Sequence, residues 1–203
     1  DGQRTFGLDF GVAKQLYEYE ILHSLIKSSE FLHFSAYEFR GDNPINVATR
    51  HAVSIARKAG TKISFDLGDS LVVKSSRDQI DAFLSEKIDI LFANEDEARA
   101  LCEGSRDFRP LLRYTDLAVI KLGSEGAVAV TPDGEIRVSA YKVEDVKDTN
   151  GAGDNFQAGF FYGQSKKLNL ETCLKIGHFL AANIIRRIGA QSQVKISGIE
   201  YFI

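Results

Sequence analysis

Residues 148–161 read Asp148-Thr149-Asn150-Gly151-Ala152-Gly153-Asp154-Asn155-Phe156-Gln157-Ala158-Gly159-Phe160-Phe161. This is a glycine-rich turn that opens onto an apolar-periodic helix. The first N–H groups of a helix have no intrahelical partner, and together with the helix dipole they attract an anion. The sequence therefore predicts an anion-binding turn at the start of a helix.

Asp154 ends this turn where the helix dipole favours a negative charge. A lone Asp before a helix is most often an ordinary cap, and this structural alternative stays open. A simple cap needs no small residues before it, whereas Gly151, Ala152 and Gly153 let a backbone approach a phosphate closely. We therefore predict a phosphate site beside Asp154. Asp148, across the turn, would orient the loop or help to hold a cation.

Three other motifs with similar spelling are excluded. Counted from Asp148 as a calcium loop, the twelfth position is Gly159, where a bidentate Glu is required. No Gly-Lys-Ser/Thr occurs, and Phe156 stands where a dinucleotide fingerprint needs its third small residue. Asp9-Phe10-Gly11 matches the metal triplet of protein kinases, but no His-Arg-Asp loop accompanies it.

Composition limits the class of protein. The chain has 44% hydrophobic and 26% charged residues and a net charge of −3. These values are typical of a soluble globular protein and argue against a nucleic-acid partner, because Lys166-Lys167 and Arg186-Arg187 fit solvated helix faces. No apolar segment approaches the ~18 residues that span a membrane, and the start lacks a signal-peptide pattern, so a cytoplasmic location is expected. Cys102 and Cys173 are expected to be buried free thiols.

Short β-rich runs alternate with longer helical runs, which indicates βαβ units and a mostly parallel sheet. Helices are predicted at residues 47–59, with Gly60 as C-terminal glycine, and at residues 155–164 and 170–187. Pro132-Asp133-Gly134 predicts a tight hairpin, so the later strands include antiparallel ones. The predicted strands are residues 31–34, 63–67, 88–93, 117–122, 127–131 and 136–139. In such a sheet, ligands bind beyond the carboxyl ends of the strands, which is where Asn94, Glu97, Gly123 and the turn before Asp154 would gather.

Three segments together resemble one known family. The run from Asp148 to Phe160, Asp-Thr-Asn-Gly-Ala-Gly-Asp-Asn-Phe-x-Ala-Gly-Phe, resembles the C-terminal signature of the ribokinase-like (PfkB-type) sugar and nucleoside kinases. Asn94-Glu95-Asp96-Glu97 resembles the Asn-x-x-Glu motif of that family, and Lys121-Leu122-Gly123-Ser124-Glu125-Gly126 resembles its nucleotide-contacting loop. The order of the three segments is also that of the family, so the resemblance covers nearly all 203 residues.

The resemblance implies a ribokinase-like three-layer α/β/α fold, with a mostly parallel sheet and a small β lid that is largely absent from this chain. Residues 1–203 would form a single domain, in which residues 1–6 resemble the last lid strand. Roughly one-third of a full kinase, including the acceptor-binding Asp and Gly-Gly pair of the family, would precede this chain. The lack of Met fits a fragment or omitted modified residues, and an apolar helix face at residues 16–26 would need cover from the absent part.

The activity that the resemblance implies is an ATP-dependent kinase acting on a primary hydroxyl of a sugar or nucleoside, as in the adenosine-kinase-like sugar kinase branch. Asp154 would be the general base, and the N–H groups of Gly151, Ala152 and Gly153 would form the anion hole. Asp66, which ends a predicted strand, would face the site. The partner would be a small molecule, and a homodimer is also allowed.

The cofactor residues follow from the same resemblance. Asn94 and Glu97 would organise Mg²⁺ with its waters, although the sequence alone favours a helix capping box at least as much. A monovalent cation, K⁺, would lie near Asp148, Asn150 and Gly189.

Nucleotide contacts are expected along one loop and one helix. Lys121, Gly123, Ser124 and Gly126 would contact the nucleotide, although a plain hairpin would use the same glycines. His178 would lie near the adenine ring, or it is an ordinary helix histidine.

Two alternatives belong to other functional classes. A kinase-like module that binds nucleotide or sugar without turnover has no need of a base at the anion hole, so Asp154 favours catalysis. The second alternative is an NAD-binding oxidoreductase, which is disfavoured because this sequence has no dinucleotide-binding fingerprint after an early strand.

Overall fold

The computed structural model describes residues 9–191 and 198–202. Within these ranges the chain forms two compact units. Residues 9–120 and 130–134 form the N-terminal unit, and residues 121–129, 135–191 and 198–202 form the C-terminal unit. The assignment of residues 1–203 to a single domain stays a prediction, and the predicted lid strand at residues 1–6 lies outside the described residues.

Six strands and seven α-helices lie in the described ranges. The strands are β1 (Phe31–Ser35), β2 (Lys62–Asp66), β3 (Ile88–Asn94), β4 (Thr115–Lys121), β5 (Ala127–Thr131) and β6 (Gly134–Val138). The helices are α1 (His23–Ser28), α2 (Pro44–Ala59), α3 (Ser70–Ser75), α4 (Arg77–Leu84), α5 (Glu95–Leu101), α6 (Ala152–Ser165) and α7 (Leu170–Ile184).

The six strands form one sheet in chain order, from β1 to β6. β1, β2 and β3 pair in parallel, with Phe34 opposite Phe65 and Asp66 opposite Phe92. β5 and β6 are joined by only residues 132–133, and parallel neighbours need a crossover of a dozen residues or more, so this pair is antiparallel. The α/β class, the mostly parallel sheet and the hairpin predicted from the sequence are confirmed.

The core of the N-terminal unit is aromatic. Phe34 and Phe65 on adjacent strands pack with Phe39 and Phe83, with ring centroids 5.1 to 6.4 Å apart. Phe39 and Phe65 are fully buried. Burial of rings of this size is among the largest apolar contributions that a residue makes to stability. The cluster therefore stabilises the part of the sheet from which the polar last residues of the first three strands, Ser35, Asp66 and Asn94, extend.

In the C-terminal unit, α6 and α7 pack against each other through glycines. A Cβ atom on Gly159 would lie 2.8 Å from the carbonyl oxygen of Ile176, and one on Gly177 would lie 2.8 Å from the carbonyl oxygen of Phe156. Gly163 is similarly close to the neighbouring helix. The two backbones therefore approach more closely than any residue with a side chain allows, which fixes the position of α6 against α7.

Several predicted boundaries differ from the structure. α6 begins at Ala152 rather than Asn155, because Gly151 takes the left-handed conformation (φ 74°) and serves as N-cap. α7 ends at Ile184 rather than residue 187, because the Ile185 carbonyl accepts the N–H groups of residues 147 and 148. The helix expected at residues 16–26 is wrong in extent, since only His23–Ser28 is α-helical there.

Two further predictions concern side chains and helices in the described part of the chain. Cys102 and Cys173 are buried free thiols, as predicted, and burial raises the pKa of both. A membrane-crossing helix would need greater length and apolar content than any helix in residues 9–191 and 198–202 has.

Candidate active site

The first turn of α6 presents unpaired backbone donors. Gly151 is the N-cap of α6. The first helical hydrogen bond runs from the Asn155 N–H to the Gly151 carbonyl, at 2.9 Å. Ala152 N–H donates weakly to the Thr149 carbonyl at 3.3 Å. Among the described residues, the N–H groups of Gly153 and Asp154 make no hydrogen bond. Two donors at the positive end of a fourteen-residue helix are therefore available to an anion.

Asp154 is not a cap in this structure. Its carboxylate is exposed at the third position of α6, the helix has no side-chain capping bond, and within the described ranges no hydrogen bond or ion pair holds this side chain. The ordinary cap, which was the structural alternative for Asp154, is therefore not formed. The carboxylate is accessible to a bound molecule beside the two unpaired N–H groups.

The turn before α6 is held by the segment after α7. A Cβ atom on Gly151 would lie 2.8 Å from both the Cα and Cβ atoms of Ala190, so glycine is required there by space as well as by its positive φ. The Asn155 side-chain amide donates to the carbonyls of Gly151 at 2.9 Å and Ala190 at 3.2 Å. These contacts give the turn a defined shape.

Asp148 braces the same turn. Its Oδ1 accepts the N–H of Asn150 at 2.8 Å, and its Oδ2 accepts the N–H of Gly189 at 2.9 Å. The structure thus brings together the three residues expected near a monovalent cation. Both carboxylate oxygens serve the backbone, and the role of Asp148 and Asn150 as cation ligands stays a prediction.

The end of β4 and the loop that follows it contain four of the predicted nucleotide residues. Gly123 begins a 3₁₀ turn (Gly123–Glu125), in which Gly123 and Ser124 are exposed. The Leu122 N–H donates to the Gly126 carbonyl at 2.7 Å and closes the loop. Lys121 is the last residue of β4 and is half-buried. Both the hairpin and the nucleotide interpretation fit this geometry.

His178 connects α7 to this loop. Its ring is 7% exposed and lies edge-on to the Phe156 ring, with centroids 5.0 Å apart. Burial lowers the pKa of His178 to about 4, although a hydrogen bond with the Gly126 backbone opposes the shift, so the imidazole is neutral at pH 7. Its Nε2 is buried and has no partner in the described part of the chain. Contact with adenine stays a prediction.

Asn94 and Glu97 lie in the N-terminal unit and form a capping box at the start of α5. The Asn94 N–H and Nδ2 donate to the two carboxylate oxygens of Glu97 at 2.7 Å each, and the Glu97 N–H donates to Asn94 Oδ1 at 2.9 Å. Glu97 is 3% exposed. The structural alternative is therefore formed, and the role of both residues in holding Mg²⁺ stays a prediction.

Sequence reasoning missed one group beside this capping box. Tyr37 follows β1, and burial together with the carboxylates of Asp69, Glu97 and Asp66 raises the pKa of its phenol. The phenol therefore stays a proton donor, near acidic side chains at and after the ends of the two adjacent strands β2 and β3. No group of three or more metal-binding side chains arranged to hold a metal ion occurs among the described residues. Only the fold brings Tyr37 to these carboxylates, because the sequence separates them by about thirty to sixty residues.

The comparison with known protein families identifies the family of this chain. Residues 1–196 match the family described as "pfkB family carbohydrate kinase". The chain belongs to the pfkB family. The ribokinase-like fold expected from the sequence is confirmed, because solved kinases of this family superpose on the chain.

Individual relatives of this pfkB-family chain act on different acceptors. A nucleoside kinase of Methanothermobacter thermautotrophicus is 30% identical over 191 residues, which cover 93% of this chain and 58% of that protein. A 5-dehydro-2-deoxygluconokinase of Bacillus subtilis is 32% identical over 155 residues, covering 71% and 47%. The crystal structure of adenosine kinase from Sinorhizobium meliloti superposes with a TM-score of 0.84 at 33% identity, covering 89% of this chain and 56% of that one. The chain therefore spans about half the length of the relatives it matches.

Proposed function

We propose that the protein is an ATP-dependent kinase that transfers the γ-phosphoryl group to a primary hydroxyl of a sugar or nucleoside. One observation carries the proposal beyond family membership. The carboxylate of Asp154 is exposed and makes no capping hydrogen bond, and it lies in the same helical turn as the unpaired N–H groups of Gly153 and Asp154. A base and an anion site placed side by side are what phosphoryl transfer to an alcohol requires.

The residues of the turn divide the work of the reaction. The acceptor hydroxyl attacks the γ-phosphorus, the bond from that phosphorus to the bridging oxygen breaks, and ADP leaves. Asp154 takes the proton of the hydroxyl as the oxygen–phosphorus bond forms. The N–H groups of the first turn of α6 stabilise the charge on the transferring group, and they do so without reorganisation because the turn is held by Asp148 and Asn155.

Membership of a kinase family implies ATP and Mg²⁺ as cofactors. Mg²⁺ keeps several waters and takes only one or two carboxylates, and when bound it neutralises phosphate charge. The donor set fits this use, since the exposed Asn94 amide and the Glu97 carboxylate are held side by side by their hydrogen bonds, and both offer oxygen atoms. Lys121, Gly123, Ser124, Gly126 and His178 would bind the nucleotide, and Asp148 and Asn150 would hold K⁺.

The acceptor class remains broad in this proposal. The relatives include a nucleoside kinase and a 5-dehydro-2-deoxygluconokinase, so both nucleosides and sugar derivatives belong to the proposed acceptor class. A homodimer and a cytoplasmic location stay predictions. The alternative, a binding module of kinase-like fold, is disfavoured because it has no use for an exposed carboxylate in the anion turn.

Asp154→Asn in the whole protein tests the proposal. Loss of a positioned base typically costs about 10²- to 10⁴-fold in rate, so turnover should fall by that factor while ATP still binds. Asp145→Asn is the control, because it removes an exposed carboxylate of the same unit that forms an ion pair with Lys147. Near-normal turnover of Asp154→Asn contradicts the assignment. A wild-type protein that binds ATP but phosphorylates no sugar or nucleoside supports the binding module.

A further inference from the structure

Neither the backbone conformation nor a close backbone contact requires glycine at position 153. Gly151 has a positive φ and contacts the Ala190 backbone, so it can carry no side chain. Gly153 has neither constraint. Its φ lies outside the left-handed region, and among the described residues, apart from its chain neighbours and its own helix, the one heavy atom within 4 Å of its Cβ position is Lys121 Nζ, at 3.4 Å.

Glycine inside a helix is destabilising by roughly 1 kcal/mol relative to alanine, so the lack of a side chain at Gly153 calls for another explanation. A methyl group there would touch the Lys121 ammonium at van der Waals distance. The position that Gly153 leaves without a side chain therefore lies beside a cation and in the helix turn whose N–H groups are unpaired.

Lys121 Nζ lies near the N-terminus of α6, where the helix dipole disfavours a positive charge. Cations are favoured at helix C-termini and disfavoured at N-termini, where the helix dipole is already positive. Here an ammonium lies beside the N-terminal turn of a long helix, where two N–H groups are unpaired. An anion with several oxygens that lies between the ammonium and the turn interacts favourably with both.

We propose that Lys121 is a catalytic residue whose ammonium contacts the transferring phosphoryl group, and that Gly153 is glycine to leave room for that contact. The inference rests on the proposed function and specifies which side chain completes the anion hole. Charge in phosphoryl transfer is spread over three equatorial oxygens. Backbone N–H groups approach this group from the helix, and the ammonium of Lys121 adds a full positive charge from β4.

The first experiment removes the charge in the whole protein. Lys121→Gln should lower kcat on the order of 10²-fold, the cost typical of losing one donor of an oxyanion hole, and Lys121→Arg should restore part of the loss. Lys142→Gln is the matched control, since it removes the same charge from an exposed side chain of the same unit that pairs with Glu144. The control should leave kcat and the KM for ATP unchanged.

The second experiment leaves Lys121 in place and fills the space. Gly153→Ala should lower kcat at least tenfold, while its melting temperature equals or exceeds that of the wild type, because alanine is the better helix former. A merely structural role of either residue cannot produce lower activity together with equal or higher stability. In the double variant Lys121→Gln/Gly153→Ala, the loss should be smaller than the product of the single losses, because both changes remove the same contact.

The outcomes separate this inference from the proposed function. A wild-type protein that transfers no phosphoryl group refutes the proposed function. A wild-type kinase whose Lys121→Gln variant stays within twofold of its kcat overturns the role of Lys121 and leaves the kinase assignment intact. If Lys121→Gln does not fold, Gly153→Ala decides: unchanged kcat overturns the inference, and a stable but slow variant supports it.

Discussion

Replacing Gly126 by alanine should be among the most damaging single substitutions in the C-terminal unit. Gly126 has φ 113° and ψ −139°, a region that only glycine adopts readily. A Cβ atom at this position would lie 1.9 Å from the Val138 carbonyl oxygen and 2.9 Å from Ser139 Cα. Both obstacles are backbone atoms, so no side-chain movement can relieve the overlap.

The magnitude follows from the two costs. Placing a residue other than glycine in such a backbone region costs about 1–3 kcal/mol, and overpacking adds about 1–3 kcal/mol. Gly126→Ala should therefore lower the free energy of unfolding by roughly 4 kcal/mol, a large share of the ~5–15 kcal/mol that holds a domain together. At about 2–4 °C per kcal/mol for a protein of this size, the melting temperature should fall by roughly 10 °C.

Gly123→Ala is the control for this prediction. Gly123 lies in the same loop and has φ 59°, but no heavy atom lies within 4 Å of its Cβ position. Its replacement should cost only the ~1–2 kcal/mol of a left-handed residue. Thermal and urea unfolding of the whole protein, followed by circular dichroism without nucleotide, compares the two variants. Equal transition midpoints for Gly126→Ala and Gly123→Ala would refute the reasoning.

Two further predictions concern charged and titratable groups. Glu97→Gln should raise the Mg²⁺ concentration needed for half-maximal rate, whereas a loss of only ~1 kcal/mol in stability with unchanged Mg²⁺ dependence would assign Glu97 to its capping box alone. His178 has a folded-state pKa of about 4, below the 6.5 of an unperturbed histidine, so between these values the unfolded chain binds a proton that the folded protein does not. Its contribution to stability is therefore complete above pH 6.5 and is lost as pH falls toward 4, by about 3 kcal/mol. His178→Gln should flatten this part of the pH dependence in urea unfolding, and identical slopes for the variant and the wild type would contradict the assignment.

Local chemistry made much of the fold predictable. The hairpin at Pro132-Asp133-Gly134 and the C-terminal glycine Gly60 (φ 75°) depend on turn residues a few positions apart, and both are observed. The start of α6 was predicted three residues late. Glycines have poor helix propensity, so Gly151-Ala152-Gly153 reads as a loop, yet Ala152 and Gly153 are helical because the segment after α7 packs on the turn.

Contacts between distant segments explain what the sequence could not predict. The Tyr114 hydroxyl donates to Asp81 at 2.7 Å, and Arg77 donates to the other oxygen of the same carboxylate at 2.6 Å. Arg77 and Asp81 are a local i,i+4 pair of α4, but Tyr114 lies 33 positions from Asp81, and no local pattern pairs those two. For the same reason Tyr37 was missed, while Asn94 and Glu97, only three positions apart, were identified together with their capping alternative.

Glycine spacing in α6 links packing to chemistry. Gly159 and Gly163 lie on the face of α6 that meets α7, and each would bring a Cβ within 2.8 Å of an atom of that helix. Close packing of this kind leaves little freedom for α6 to slide or rotate, since interiors at this density resist displacement. The position of the N-terminal turn of α6 is therefore set by the contacts of Gly159 and Gly163 with α7, about two and three turns away. An anion hole depends on donors that are fixed before the charge develops, so enlarging Gly159 should displace Asp154 and its neighbouring N–H groups together, without touching either.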